Sequence, residues 1–397
     1  MKVAIVGGGA AGFFSAINIK EFLPQAEVTI FEKSDKVLSK VLLSGGGRCN
    51  CTNSFENVKR IKDVYPRGYN VISRLFKVFD CQDVFDWFEK HGVKLIEEDN
   101  GRIFPKSQSS RTIVDCFLFY SKKYGVKIKT QSNIDSIEEL KDFDFVVLTV
   151  GGYPNDKLLK DLEHKGHKIA KPLPSLFAFV LEDERLRSLS GISVPNAELL
   201  LAGTKYKVQG DVLLTHFGIS GPAILKLSSY AANYLNQKNY KHSLLINWAG
   251  DNYSTTEQVL EETFALYPQK IVSNANPFAL PNSLWHFLLE KSLGDRAKNK
   301  VLSLNKKDIN RLLNTLCSDN YNITKRYAHK EEFVTCGGVD FESLNTLSLQ
   351  SKFIDNLYFA GELLNIDGIT GGFNLQSAWT TAFVVAKNIF ERSLNRN

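Results

Sequence analysis

Glycines at positions 7, 9 and 12 follow an apolar run, Val3-Ala4-Ile5-Val6, and an acid, Glu32, closes the next apolar run, Val28-Thr29-Ile30-Phe31. Each has a use in holding a dinucleotide. Gly7 permits a tight turn from strand to helix, Gly9 lets the backbone approach a pyrophosphate, and Gly12 lets the helix pack close to the sheet. Ala11 stands in the same phosphate-facing turn, whose free amides and positive dipole end suit an anion. Glu32 falls about twenty residues past the last glycine, the separation at which a carboxylate accepts from ribose hydroxyls, and Lys33 follows it. The plainer alternative is a βαβ turn whose glycines serve packing alone. The apolar helix after the turn (Phe13, Phe14, Ala16, Ile17, Ile19), the second strand and the acid, all in order, favour the dinucleotide. The motif by itself does not separate nicotinamide from flavin.

A second glycine loop runs Ser44-Gly45-Gly46-Gly47-Arg48-Cys49-Asn50-Cys51-Thr52-Asn53. Three consecutive glycines beside an arginine imply a backbone that passes close to something flat or anionic. Lys40 and Arg48 add positive charge suited to a pyrophosphate or to the N1–C2=O edge of a reduced flavin. Near the other end, Tyr358-Phe359-Ala360-Gly361-Glu362 places a glycine and an acid at the end of a strand, and Gly371-Gly372-Phe373-Asn374 opens the last helix. Gly151, at the end of the run Phe143 to Val150, is a further glycine at a strand's carboxyl end. In a doubly wound sheet these ends are where ligands bind. A second helix N-terminus aimed at the cofactor suits a long molecule and stabilises negative charge on a reduced ring, so FAD is expected rather than a nicotinamide alone.

Candidates for the reaction itself are few. Arg48 and Cys49 stand in the glycine loop, and His216 in Thr215-His216-Phe217-Gly218-Ile219-Ser220-Gly221-Pro222, where Pro222 can start a helix. Each has a bland reading: His216 as a histidine in a shaped turn, and Cys49 with Cys51 as packed thiols, since residues at i and i+2 make a strained disulfide. Thr335-Cys336-Gly337-Gly338-Val339 reads as a tight turn of structural use.

These residues need elements to hold them. Residues 1 to about 35 form the βαβ unit; Gly101-Arg102-Ile103-Phe104-Pro105 reads as a strand in a hairpin, Thr112 to Tyr124 as a helix stopping at Gly125, and Val126 to Thr130 as a strand. From about 175 to 248 short β pieces dominate: Phe177–Leu181, Ala197–Leu201, Tyr206–Val208, Asp211–Thr215 and Ser243–Trp248. Helical patterns follow at Thr255–Leu266, Ser283–Leu293 and Lys307–Leu316. The strand Leu357–Ala360 and the helix Phe373–Ser393 then rejoin the N-terminal sheet. The expected fold is α/β: a discontinuous Rossmann-like FAD-binding domain over 1–175 and 330–397, a barrel-like antiparallel β insert over 176–252 with 319–329, and a helical sub-insert over 253–318.

Bulk properties bound the rest. The chain has 397 residues, 43% hydrophobic and 23% charged, and a formal net charge of +6. That size implies more than one domain. No apolar stretch is long enough for a membrane span, and the chain enters its first strand at once, so a cytoplasmic protein without a leader is expected. The charge permits a nucleic-acid partner without indicating one, because lysines such as Lys122, Lys123, Lys127, Lys129, Lys298, Lys300, Lys306 and Lys307 read as scattered solvating residues. Six cysteines and seven histidines show neither a disulfide framework nor metal-ligand spacing. Reduced thiols and no metal are expected.

The stretches Lys40 to Asn50, Gly101 to Pro105, Thr215 to Pro222, Ala360-Gly361-Glu362 and Thr370 to Asn374 together resemble the aminoacetone-oxidase-like family of bacterial flavoproteins, along nearly the whole chain. The resemblance implies a two-part FAD domain with an inserted barrel and a small helical domain. It implies FAD lying along Gly7, Gly9, Gly12, Glu32, Lys33, Lys40, Ser44, Gly45 and Arg48, with further contacts from Gly361, Glu362, Gly372, Phe373 and Asn374. One stretch departs from the family. Gly151-Gly152-Tyr153-Pro154 runs quickly to Gly166-His167-Lys168-Ile169, where relatives carry a longer serine- and glycine-rich loop. The activity implied is hydride or electron transfer between a small organic substrate and oxygen or NAD(P)H, the latter binding transiently over the flavin. An RNA-modifying flavoprotein, which would need a concentrated basic surface, and a dinucleotide-binding module without turnover are the alternatives.

Overall fold

The computed structural model describes residues 1–152, 155–327 and 334–395. Tyr153 and Pro154 of the shortened loop, and the expected boundary at 329/330, lie outside the described residues. Two compact units emerge: Met1–Pro174 with Phe333–Asn397, and Ser175–Glu332.

The first unit is built on five strands in the order Leu357–Phe359, Phe145–Leu148, Lys2–Val6, Glu27–Phe31, Lys127–Lys129, every neighbour parallel. The register sets Val3 opposite both Val28 and Phe145. Central strands of a parallel sheet are covered on both faces, which is why Val3, Ala4, Ile5 and Phe145–Leu148 are apolar and buried without alternation. The helix Ala10–Phe22 is buried from Ala11 to Ile19, packed against the last helix, Phe373–Leu394. Aromatic rings weld the two: Phe14 meets Trp379 at 5.2 Å and Phe79 at 5.6 Å, and Phe79 stacks on Phe383 at 4.2 Å. Thus the chain's last helix completes a core that its first helix begins.

Two smaller sheets belong to this unit. Leu95–Glu98, Arg102–Pro105 and Thr52–Asn53 form a three-stranded antiparallel sheet. The segment read as a tight turn at Thr335–Val339 is instead a strand, Val334–Val339, paired with Ile169–Ser175. Gly337 and Gly338 both have positive φ there, and a Cβ at either would meet the carbonyl oxygen of Lys171 or of Leu363 within 2.5 Å. The glycines that suggested a turn allow two chains to approach closely.

In the second unit, six antiparallel strands close a barrel: Ser193–Leu201, Lys207–Thr215, Gly218–Ser220, Phe179–Leu181, Asp319–Arg326 and His242–Asn247, the last pairing back to the first. Tyr206–Val208 and Asp211–Thr215, read as separate pieces, are one strand running through Gly210. Two helices, Pro222–Tyr230 and Ala232–Gln237, interrupt the β texture, the first carrying Pro222 in its opening turn. Helices Tyr253–Leu266, Asn282–Leu293 and Lys306–Cys317 form the helical lobe, sharing one apolar core with the barrel through Leu260, Trp285, Leu288, Leu312 and Leu313.

Candidate functional site

The first strand turns at Gly7, whose φ of 112° suits glycine and whose Cβ would sit 2.4 Å from the Thr149 carbonyl oxygen. Gly12 is equally confined: a Cβ there would lie 2.0 Å from the Gly7 oxygen and 2.9 Å from Thr149 Oγ1. Gly9 is the opposite case, with no atom within 4 Å of its Cβ position. The loop is packed tight at its ends and open at its middle, as a phosphate cradle requires. No side chain caps the helix at Gly9. Helices Cys81–Lys90, Ser110–Lys123 and Asp156–His164 of the same unit are capped by Asp80, Ser109 and Asn155. The uncapped amides at Gly9 are left for a ligand.

Glu32 accepts from Gly8 N–H at 2.8 Å through one oxygen and from Ser34 N–H and Oγ at 2.9 Å through the other. These bonds fix the carboxylate beside the glycine turn and leave lone pairs for hydroxyls. Lys33 is exposed beside it. A recess next to this acid is lined by Gly7, Glu32, Lys33, Ser132, Asn133, Ile134, Val150 and Leu158. No local pattern in the sequence marks Ser132 to Ile134, in a loop, or Leu158, in the helix Asp156–His164, as neighbours of an acid a hundred residues or more away.

The second glycine loop follows a short helix whose regular turns end at Leu43; Ser44 is extended, and Gly45 and Gly46 take left-handed angles. A Cβ at Gly45 would meet Asn50 N at 2.7 Å, whereas Gly46 and Gly47 face open space. Ser44 Oγ donates to the Val41 carbonyl at 2.8 Å, and its own carbonyl accepts from Cys49 N–H at 2.9 Å. Arg48 is engaged by the hairpin. Its guanidinium donates to Glu98 at 3.0 Å and Gln108 at 2.9 Å and lies 4.1 Å over the Phe104 ring. It pins the loop to the hairpin.

Cys49, at φ 59°, and Cys51 are both buried thiols, with sulfurs 3.7 Å apart. The hydrogen bond from Cys51 holds the Cys49 thiol below its usual range, against burial and with help from Ser44. Burial, reinforced by Cys49, pushes Cys51 well up.

At the far end of the chain, Gly361 has positive φ and packs where a Cβ would come 2.8 Å from Ala11 Cβ, so the first and last glycine turns touch. Glu362 joins three segments: it accepts from Lys40 Nζ at 2.8 Å and from Thr335 N–H at 2.9 Å, and it lies 3.8 Å from the Cβ position of Gly151. Lys40 is therefore already paired. Gly372, at φ 93°, is pressed on the Thr52 carbonyl and opens the last helix without a side-chain cap. Phe373 is buried between Phe55 and Tyr65, its carbonyl accepting from Tyr65 Oη at 2.7 Å. The Asn374 amide clasps Gly368, accepting its N–H and donating to its carbonyl, both at 2.8 Å. Phe373 and Asn374 hold the loop in shape with their side chains, and the helix's first amides are what they offer a ligand. Beneath this loop Asp367, fully buried, is paired with Arg67, a pair that a separation of 300 positions hides from the sequence.

These features test the fit of FAD: an open glycine turn and an acid for the adenosine end, and an open triple-glycine loop with an uncapped helix terminus beyond it. The residues fit. His216 lies in the second unit, exposed at the tip of the hairpin that joins Lys207–Thr215 to Gly218–Ser220. Among the described residues no group of three or more His, Cys, Asp or Glu side chains is arranged for a metal, and no helix is long and apolar enough to cross a membrane.

This combination, a parallel Rossmann-like sheet with a glycine turn at each end of the chain and an inserted barrel, is the fold of FAD-binding flavoenzymes. The chain belongs to the HI0933-like family, whose model, described as the HI0933-like protein Rossmann domain, matches residues 1–388. It is 26% identical over 415 residues to a ribosomal RNA dihydrouridine synthase of Haemophilus influenzae, and 27% over 413 residues to that of Escherichia coli, covering 97% of both chains each time. It is also 24% identical over 424 residues to a 3-dehydro-bile acid delta(4,6)-reductase of Clostridium scindens, covering 98% of this chain and 99% of that one. Among solved structures, the 3-ketosteroid delta1-dehydrogenase of Sterolibacterium denitrificans shares the fold with a TM-score of 0.50 at 11% identity, covering 98% and 99% of the two chains. The narrower likeness to aminoacetone oxidases rests on the motifs alone.

Proposed function

We propose that this chain is an FAD-dependent reductase of a carbon–carbon double bond conjugated to a carbonyl, acting on a uracil base of ribosomal RNA with a reduced nicotinamide as electron donor. The observation that carries the reading is the end-to-end match to two relatives named ribosomal RNA dihydrouridine synthase. The name of the third relative denotes the same kind of step on a steroid dienone, which supports the chemistry independently of the substrate. In uracil the C5=C6 bond is conjugated to the C4 carbonyl. The balance is simple: C6 gains a hydride, C5 gains a proton, and one reduced nicotinamide is oxidised.

When bound, FAD supplies the two-electron chemistry. The chain's own residues bind and orient. The amides at Gly9 would hold phosphate, Glu32 would take ribose hydroxyls, and the recess at Ile134 and Leu158 would take the adenine. The uncapped helix start at Gly372 would offer its positive end to negative charge on a reduced ring. Arg48, bound to Glu98 and Gln108, is a positioning residue that holds the triple-glycine loop.

The test uses the full chain with FAD, a reduced nicotinamide and ribosomal RNA transcribed in vitro, which carries no modification, followed by mass spectrometry of the nucleosides. The expected product is a uridine heavier by two hydrogens, dependent on both FAD and the nicotinamide. Turnover of a small steroid dienone with unaltered RNA would overturn the RNA substrate and favour the second reading, a small-molecule enone reductase, to which the bile-acid relative points.

A further inference from the structure

One end of the helical lobe, just past the exposed Asp295, concentrates charge that the lobe as a whole, with eight basic side chains against six acids over 253–318, does not. Residues 296–311 hold six basic side chains against one acid, whereas the full chain has 49 Lys and Arg against 43 Asp and Glu. The single acid, Asp308, is buried and bound to Arg296 at 2.8 Å and Arg311 at 2.6 Å, so it neutralises none of the lysines. Folding adds a second segment to the same end of the lobe. Ile271 bridges to Lys300, Val301 N–H donates to the Lys270 carbonyl at 2.9 Å, and Leu302 N–H donates to that of Pro268 at 3.0 Å. Lys270 thereby joins Lys298, Lys300, Lys306 and Lys307, all exposed, with its ammonium 3.7 Å over the exposed Tyr267 ring.

Exposed lysines ordinarily do no more than solvate a face. Two observations go further here. Lys306 and Lys307 occupy the first turn of the helix Lys306–Cys317, where the macrodipole disfavours cations. Asp308 and Asn305 already cap that turn, so the two lysines add nothing to the helix itself, and an anion beside them would offset their unfavourable position. The lysines are also interleaved with exposed amides, Asn274, Asn299, Asn305 and Asn310, rather than with an apolar helical stripe. Amide side chains bond phosphate and sugar oxygens.

We propose that this face docks the phosphate backbone of folded RNA, with Lys270, Lys298, Lys300, Lys306 and Lys307 as the contacts and Tyr267 as a stacking surface. The proposal rests on the RNA reading above and names the surface that reading otherwise lacks.

The test measures binding of a fluorescent ribosomal RNA fragment to the full chain with FAD, by anisotropy across a salt series. One variant carries Lys298→Gln, Lys300→Gln, Lys306→Gln and Lys307→Gln. A control neutralises four exposed lysines of the first unit, Lys77, Lys94, Lys122 and Lys141. Each phosphate contact contributes about 0.7–0.9 to the slope of log affinity on log salt. The lobe variant is expected to lose about 3 from that slope and at least about tenfold in affinity at low salt. The control should keep the wild-type slope, and flavin reduction by the nicotinamide should be unchanged in both. Equal slopes for variant and wild type would overturn the docking face, while RNA reduction in the nucleoside assay would keep the RNA reading intact. Equal loss in both variants would reduce the effect to overall charge and overturn the proposal. Tighter retention on phosphatidylserine vesicles than on RNA, lost in the lobe variant, would overturn it in favour of a membrane surface.

Discussion

Gly9 and Gly12 stand three residues apart in one motif and have opposite surroundings. Gly12→Ala drives a Cβ into the Gly7 carbonyl 2.0 Å away. Overpacking of this kind costs about 1–3 kcal/mol or more, so the thermal midpoint should fall with or without FAD. Gly9→Ala meets no atom within 4 Å and has an ordinary extended backbone, φ −95°. It should melt like the wild type yet bind FAD at least about tenfold more weakly, an expectation from the phosphate approach that Gly9 permits. Flavin retained equally by Gly9→Ala would contradict the cradle. Away from the site, Glu21 binds His91 Nε2 at 3.1 Å and Lys90 at 3.3 Å. Burial raises its pKa, but the His91 hydrogen bond and the two neighbouring charges outweigh that and lower it from 4.5 to about 2. A depressed folded-state pKa means that its stabilisation is present above the unfolded value and lost as pH falls from 4.5 towards 2. Glu21→Gln should therefore lower stability at neutral pH by about 2 kcal/mol, as for a hydrogen bond to a charged group, and flatten the acid limb of a denaturation series. The turns at Gly7 and Gly12 were legible because the strand–turn–helix pattern around them is local, although the Thr149 carbonyl that confines Gly7 lies 142 residues away. The partners of Arg48, Lys40 and Glu362 were not, since Glu98 and Gln108 lie 50 and 60 residues from Arg48 and Glu362 lies 322 residues from Lys40.

At the scale of elements, the loop between Gly361 and Gly372 is held from beneath by the Arg67–Asp367 pair. Asp367→Asn leaves a guanidinium without its buried counter-charge, a change that costs about 3–5 kcal/mol when one partner of a buried pair is removed. Chemical denaturation should register that loss, and flavin affinity should fall with it because the last helix starts from this loop. An unchanged denaturation midpoint would show that the pair carries no such load. Helices and central strands were legible wherever apolar periodicity or a continuous apolar run was strong, as in Ala10–Phe22 and Phe145–Leu148. Val334–Val339 was not. Its paired glycines signal a turn when read locally, whereas in the fold they leave room for close approach to Lys171 and Leu363, which only the folded chain supplies.

At the scale of the whole molecule, the nucleotide-binding unit cannot be assembled from the N-terminal part alone. Leu357–Phe359 is the strand beside Phe145–Leu148, and Phe373–Leu394 covers Ala10–Phe22. A chain ending at residue 350 would expose Phe14, Phe79 and the strand edge at Phe145–Leu148, so it should aggregate or stay unfolded by circular dichroism. A folded, flavin-retaining product would contradict this closure. The discontinuity was legible from the change in texture along the chain. Four lysines at the basic end of the helical lobe stand close in sequence yet read as scattered solvating residues; Lys270 joins them only in the folded chain, through the Ile271–Lys300 bridge and the hydrogen bonds beside it.

The proposed chemistry requires a flavin held by the two glycine loops and reducible by a nicotinamide. The most direct test is the visible spectrum of the full chain, reconstituted with FAD, desalted, and treated anaerobically with NADPH or NADH. A flavin band that survives desalting and is bleached by the nicotinamide is the predicted result. A band lost on desalting, from a protein that circular dichroism shows to be folded, would contradict it.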